Sequence, residues 1–589
     1  MMLSRLSAPL RALRRLTLPT LVLALATTLV SCGGGGYLPS PLSVTEPRPL
    51  SPEFTSRKAA SYSPYRDAQC DDKNNPANVG CTVDLSDEVI TPARVEEDLR
   101  LVQSAGIGVI RLFTSNIFGD LVLSTIRNNG LDLKVMLGAY VFRPDTPDIE
   151  AANQSELNTT IALANKYSDI VLAVSVGNET MVDWSFLAIK PDDMRRYIKQ
   201  VRDATTQPIT TDDNWYFWAT APTTILDVVD FASLHTYPLL DSFYDPTLWD
   251  WRQAGVPADQ RRAAMLDAAV AEAKRQVGQA RAYFDRIGLQ SMPIVIGETG
   301  WMAVDLPGDP DVSFRASAIK QTMYYQRLRD WAAEPASNRP PANIFYFESF
   351  DELWKGADDG WGLFTRDRKA RCVVQSLNPP SASWVYDTSQ PCVPLVPGTP
   401  PPADVTRYVL FSDAAPGPGD LFATGLRWDA FDGSTAEYAF PDDPAPGDGT
   451  QSIEITPTPA SYGWGLLLYP SEPSVRTNLA DFAQGTLNFW IRTDNYPGKI
   501  EIGIFTSLDD GAAAPVFLQI APGQYGYCNN NAWCQVSIPI ADFLAAEPFL
   551  DLRFVTFDFV ISDVYSRTGK AEGTTGLPPI YVDGIAWTR

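Results

Sequence analysis

Short apolar runs alternate with longer amphipathic stretches from residue 57 to about 375, and the pattern changes character beyond Val405. In the first region the runs at 61–65, 109–113, 134–139, 171–176, 209–211, 231–235, 293–296 and 344–347 read as eight strands. Helical periodicity fills 91–104, 155–167, 258–287 and 313–331, the first opened by Thr91-Pro92 as N-cap and first-turn proline. Eight strands with intervening helices over roughly 315 residues predict an α/β fold, a TIM (β/α)8 barrel. No glycine-rich phosphate turn follows the first strand, which disfavours an open doubly wound sheet. Past 405 the helical period is lost. Segments at 486–492, 500–506, 534–540, 555–561 and 580–587 alternate with turn residues, so 405–589 reads as a separate all-β sandwich of jelly-roll type. The stretch 376–404, rich in Pro and Ser and holding Pro400-Pro401-Pro402, reads as a linker. No internal repeat relates the two halves.

Residues 1–31 have the pattern of an export signal: basic from Arg5 to Arg15, apolar from Leu16 to Val30, and too short to span a bilayer comfortably. The run Leu29-Val30-Ser31-Cys32, followed by four glycines, resembles a bacterial lipobox, which implies a lipidated Cys32 and a tether over 32–56. Gly33 is unlike the Asp that retains lipoproteins in the inner membrane, so the expected location is the cell envelope at the outer membrane. Cys32 aside, six cysteines remain in close pairs, and three local disulfides are expected: Cys70–Cys81, Cys372–Cys392 and Cys528–Cys534.

Composition narrows the chemistry. The formal charge is −23; four of the 47 basic residues lie in the first 31 positions, and without them 43 face 70 acidic ones, or −27. Nucleic acid is therefore excluded as a partner, and a neutral ligand fits better. A single His and the lack of a Cys-x-x-Cys pair leave little for zinc or a histidine triad. Acid–base work falls to carboxylates, with no metal in the active site and no organic cofactor. Two Glu residues directly follow apolar runs: Glu179 in Gly177-Asn178-Glu179-Thr180 and Glu298 in Gly297-Glu298-Thr299-Gly300-Trp301. Strand ends of a barrel face the active site, and the fourth and seventh strands lie across it. Two carboxylates so placed could stand about 5 Å apart, the spacing of a retaining glycosidase.

These motifs carry a resemblance. Tyr62-Ser63-Pro64-Tyr65-Arg66, Ile110-Arg111-Leu112-Phe113, Val176-Gly177-Asn178-Glu179, Gly297 to Trp301, Phe347 to Lys355 and Trp361-Gly362-Leu363-Phe364 together resemble glycoside hydrolase family 17, the retaining β-1,3-glucanases. The match covers the barrel alone. It implies Glu298 as nucleophile and Glu179 as acid/base, with Asn178 on the sugar 2-hydroxyl and Tyr237 orienting Glu298 or touching sugar. Glu352 and Lys355 would complete a polar floor, and Tyr62, Trp301 and Trp215 would help bind substrate, a β-glucan chain acted on by a monomer. His235 departs from the family, many of whose members carry Asn there, and is expected to be a hydrogen-bonded packing residue near the rim. The same residues would serve a β-1,3-glucanosyltransferase, and a noncatalytic glucan-binding lipoprotein is a further reading. The β region resembles carbohydrate-binding modules in fold class only. Trp428, Tyr462, Trp464, Trp490, Trp533 and Trp587 there are expected mainly in its core, and Asp413 with Asp583 form a candidate pair for a structural Ca²⁺.

Overall fold

Parallel strands too short to be stable alone close on themselves here. The computed structural model describes residues 46–67, 88–244, 247–304, 314–352, 360–377, 384–472, 475–567 and 573–589. Its first half is a closed barrel in sequence order, β1 (Lys58–Ser61), β2 (Ile107–Arg111), β3 (Lys134–Ala139), β4 (Val171–Asn178), β5 (Ile209–Asn214), β6 (Ala232–His235), β7 (Ile294–Thr299) and β8 (Ile344–Tyr346). Closure runs through Ala59 opposite Phe345 and Ala60 opposite Tyr346. The expected first strand at 61–65 is displaced. Small Ala59 and Ala60 form the buried rungs, whereas Pro64 has no N–H to give a ladder and follows in the loop above.

The floor of the barrel is built from residues assigned to the tether. Ser51 caps a short helix, Pro52–Ser56, whose Phe54 is buried against Val109, Met136, Phe231, Val295 and Phe345. Arg48 donates to the carbonyls of Gln207 and Arg202, and its backbone N–H to Asp230. The packed fold therefore begins by residue 46, not at 57. A helix at Pro147–Lys166 starts earlier than its periodicity indicates, with Thr146 as N-cap and Pro147 in the first turn. That is the same signal as Thr91-Pro92, hidden by the polar residues Asp148, Glu150 and Gln154 on its outer face.

Beyond residue 405 the strands form two sheets that share no ladder with the barrel. One runs Asp420–Phe422, Arg407–Phe411, Ile580–Thr588, Ile453–Pro457, Ala436–Ala439, with Thr486–Arg492 joining Ile580–Thr588 to Cys534–Pro539. The other runs Leu426–Ala430, Trp464–Pro470, Val555–Asp563, Ile500–Ser507, Ala513–Ile520. Burial alternates residue by residue along Thr486–Arg492, and Ile455, Leu487 and Trp587 share one core with Leu468, Ile502 and Phe559. Trp464 and Trp587 lie in that core, while Trp428, Tyr462, Trp490 and Trp533 are only half-buried. The Cys372–Cys392 and Cys528–Cys534 disulfides are formed. The export signal, Cys32, the tether up to residue 45, Cys70, Cys81, Lys355 and linker residues 378–383 lie outside the described residues.

The two halves are not loosely strung. Lys320 of the barrel and Asp510 of the sandwich, both essentially inaccessible, form an ion pair at 2.9 Å. Phe314 donates its backbone N–H to the Ala513 carbonyl at 3.0 Å, and Arg262 pairs with Asp509 at 2.6 Å. Trp251, Phe314 and Phe549, the last from the sandwich, form a triangle of rings with centroids 6.4, 6.4 and 5.6 Å apart. The proline-rich linker is pinned as well, by Leu395 N–H to the Asp509 carbonyl at 2.6 Å and by the Cys392 disulfide.

Candidate active site

The C-terminal ends of β2, β4, β5, β6 and β7 bring one charged cluster together at the barrel mouth. At the end of β4 the chain turns sharply, with φ of +87° at Gly177 and +50° at Glu179. A side chain at 177 would meet Thr180 Oγ1 at 2.8 Å and Met194 Cε at 2.9 Å, so glycine is required there. Glu179 carries the strained conformation itself, at a cost on the order of 1 kcal/mol, and its side chain rises over the mouth, two-fifths exposed. Its backbone is held by a 2.8 Å bond to the Asp212 carbonyl. On β7, Gly297 leaves room for Ser233 and Asp212, whose side-chain oxygens lie 2.4 and 2.5 Å from where a Cβ would sit. Glu298 follows, buried.

Glu298 is held at both oxygens. Arg111 of β2 donates to Oε1, and the Tyr237 hydroxyl donates to Oε2 at 2.7 Å. The same guanidinium donates to Asp212 at 2.7 Å and to Asn178 Oδ1 at 2.6 Å, so one buried cation fixes three side chains from three strands. Burial by itself would raise the Glu298 pKa. The charges of His235 and Arg111, with the hydrogen bonds from Arg111 and Tyr237, outweigh it and hold the carboxyl below its ordinary value. Asp213 goes the other way: burial, reinforced by the charge of Glu179, pushes it up to about 7, although it accepts the N–H groups of Met181 and Asn214.

His235 is buried and hydrogen-bonded, as expected from sequence, but it faces the two glutamates rather than serving only to pack the rim. Fully buried, it faces Glu179 Oε1 at 3.0 Å through Nδ1 and Glu298 Oε1 at 3.6 Å through Nε2. Burial would lower its proton affinity, but the two carboxylates prevail and raise it above the ordinary imidazole value.

Of the other expected site residues, Glu179, Glu298, Asn178 and Tyr237 converge, and Glu352 is buried in the segment after β8. Trp301 does not line a cleft. It is fully buried on Tyr324, its indole N–H donating to the Arg315 carbonyl at 2.8 Å, because the chain after β7 turns under the rim. Tyr62 is buried too, its hydroxyl tied to Asp98 at 3.1 Å behind Phe350. Trp215 is half-buried beneath Arg275. Among the described residues the most exposed rings at the mouth are others: Trp184 and Phe186, after Glu179, and Tyr216, after β5, with Trp184 and Tyr216 centroids 6.0 Å apart. Arg111 and Asp212 were also missed as site residues. The signal that marks them is a charged residue inside the apolar run 109–113, for Arg111, and one directly after the strand run 209–211, for Asp212. In the sandwich, Asp413 accepts from Thr450, while Asp583 accepts the N–H groups of Ala445 and Gly584; each carboxylate is engaged separately. Among the described residues no three His, Cys, Asp or Glu side chains group as a metal would need.

The mouth of the eight-stranded barrel thus holds a polar cluster, with Glu179, just past β4, and Glu298, on β7, both facing His235. Residues 60–362 match the family model of the BtgE/BtgC glycoside hydrolase domain, and the chain belongs to that family. The barrel is thus a glycoside hydrolase, as the strand-end resemblance implied. A glucan 1,3-beta-glucosidase of Arthroderma benhamiae is 26% identical over 302 residues, spanning 47% of this chain and 83% of that protein. Among solved structures, an endo-laminarinase from Formosa aligns at 25% identity and a TM-score of 0.46, over 55% of this chain and 86% of that one. An active-site mutant of a Rhizomucor miehei beta-1,3-glucanosyltransferase with laminaritriose aligns at 18% identity and a TM-score of 0.34, over 53% and 95%.

Tyr237 offers a direct probe of Glu298. Tyr237→Phe removes one donor to the ionised form, worth about 1.5 kcal/mol for a charged acceptor. The acidic limb of kcat/KM should rise by about one pH unit, since losing a donor to the carboxylate raises its pKa. A limb left in place would mean that Tyr237 does not govern Glu298.

Proposed function

We propose that the protein hydrolyses β-1,3-linked glucan with retention of configuration, Glu298 attacking the anomeric carbon and Glu179 serving as acid and then base. The observation that carries this reading is the convergence of both glutamates, from opposite sides of the barrel, on the single ring of His235. Their environments differ as the two roles demand. Glu298 is buried and held ionised by Arg111, Tyr237 and His235, whereas Glu179 stands higher and partly open to the incoming glycosidic oxygen. The substrate class is supported by the relatives, one a glucan 1,3-beta-glucosidase and one an endo-laminarinase. Asn178, oriented by Arg111, is suited to the sugar 2-hydroxyl, a contact that strengthens in the transition state. Incubating the chain with laminarin and following products over time tests the reading; glucose or laminari-oligosaccharides are expected, and an unchanged polymer would end it.

The exposed rings of Trp184, Phe186 and Tyr216 lie beyond Glu179, the residue that must stand beside the leaving group, so they suit the leaving-group sugars. Trp184→Ala should raise KM for long laminarin chains about fivefold, the scale of one lost aromatic contact. Hydrolysis of an aryl β-glucoside, which has no sugar on that side, should stay within about twofold on the same scale. Equal losses on both substrates would remove the rings from the leaving-group side. The envelope location read from Cys32 belongs to the same proposal, and Cys32→Ser should release the protein from the membrane fraction.

A further inference from the structure

His235 is the only histidine in the chain, and the two-carboxylate mechanism does not call for one. Its setting is nevertheless specific. It ends β6 in register with Glu298 of β7 on one side and Asn214 of β5 on the other, and it is wholly buried. Nδ1 lies at hydrogen-bond distance from Glu179, and Nε2, with no hydrogen-bond partner, points at Glu298 3.6 Å away. Each nitrogen therefore faces a carboxylate. A neutral imidazole has one N–H and one lone pair, so it would turn the lone pair on one of the two; only the imidazolium presents a hydrogen to each. The other charged groups around it are Arg111 from β2, Asp212 and Asp213 from β5, and the Tyr237 hydroxyl on the far oxygen of Glu298. Among the described residues, Arg111 is shared with Asp212, which leaves the ring as the second cation beside Glu298 and the one at hydrogen-bond distance from Glu179.

We propose that His235 is a shared counter-ion, a positioning residue that neutralises Glu298 before glycosylation and Glu179 after it. This rests on the double-displacement reading above. Double displacement starts from Glu298 as the anion and a proton on Glu179 at the moment of attack. Attack on the sugar converts Glu298 to a neutral ester, while the Glu179 proton leaves on the departing sugar oxygen, so Glu179 becomes the anion. The negative charge has moved from one side of the ring to the other, and the imidazolium matches it in both states with no motion of its own. No proton is lost or gained by the ring in either step. The site thus keeps its charge balance through both half-reactions, and water that later attacks the ester returns a proton to Glu179.

Because the histidine is unique, its ring can be observed directly. The test uses the full chain without a polyhistidine tag, labelled at histidine Cε1, and follows that one NMR signal against pH. A 2-deoxy-2-fluoro-β-glucoside with an activated leaving group traps the glycosyl-enzyme, and peptide mapping locates the label. The ring should titrate at least about one pH unit above a free imidazole in the resting enzyme and keep that elevation when Glu298 is esterified. In the trapped Glu179→Gln enzyme neither partner is anionic, and the midpoint should fall by about one unit or more. The same midpoint in all three states, or one at the ordinary value in the resting enzyme, would overturn the proposal. A label on a carboxylate other than Glu298 would instead defeat the catalytic reading. Titrating Glu298→Gln, Glu179→Gln and the double variant, each checked for folding by circular dichroism, then decides the ring's role separately: the elevation should survive in each single variant, where one carboxylate remains, and be lost in the double variant, whereas an elevation kept in the double variant would overturn it.

Discussion

Glu298→Ala should abolish turnover with every substrate, kcat falling by about 10⁴-fold or more, the scale seen when a nucleophile is removed. Glu179→Ala should fail differently. With glucan its rate should fall by about 10²–10⁴-fold, because a sugar leaving group needs protonation. With an activated aryl β-glucoside, glycosylation of Glu298 should persist and only deglycosylation should stall, since no base then activates water. Azide needs no base, so it should restore turnover to Glu179→Ala and yield the β-glycosyl azide. In Glu298→Ala it should enter from the vacated face and yield the α-azide. Product stereochemistry is read by NMR, and exchanged products would mean that the two roles are reversed.

The second large effect concerns the seam between barrel and sandwich. A barrel with a tethered binding module would be expected to keep its rate on short soluble oligosaccharides when the module is removed. The contacts argue otherwise. Lys320 is inaccessible and would lose its carboxylate partner, and Trp251 and Phe314 would lose the Phe549 ring that covers them. Breaking one side of a buried ion pair costs about 3–5 kcal/mol, a large part of a domain's stability. The segment concerned is also tied to the chain beyond Glu298, since the Arg315 carbonyl accepts the Trp301 indole N–H. Asp510→Ala should therefore lower the Tm clearly, and the chain ended at residue 404 should lose most of its activity even on short oligosaccharides. Full activity of the soluble barrel alone would refute this and return the sandwich to a separable role.

Much of this architecture is legible in the sequence because it rests on local pattern. The runs at 134–139 and 486–492 coincide with strands Lys134–Ala139 and Thr486–Arg492, the first a continuous apolar run because both its faces are buried, the second an alternation because only one is. The two glutamates were legible for a related reason: a carboxylate directly after an apolar strand must emerge at the barrel mouth. What was not legible depends on which face a side chain meets once the barrel closes. Trp301 looks like a cleft aromatic until the loop after β7 folds it under Arg315. Tyr62 looks like a sugar contact until Asp98 takes its hydroxyl. The tether reads as unstructured up to residue 56 because Leu50 and Phe54 are isolated apolar residues among prolines and polar ones, and only the open floor of the barrel explains their packing. His235 was hidden for the converse reason. Its partners lie 56 and 63 residues away in sequence, on β4 and β7, and only closure brings them to one ring.

The measurement that bears most directly on the account is the anomeric form of the first product. Laminari-oligosaccharide hydrolysed by the chain in an NMR tube should release the β-anomer first, with the α-anomer growing in only at the rate of mutarotation. Early appearance of the α-anomer would mean single displacement by water. The pair Glu179 and Glu298 could then not act as acid/base and nucleophile.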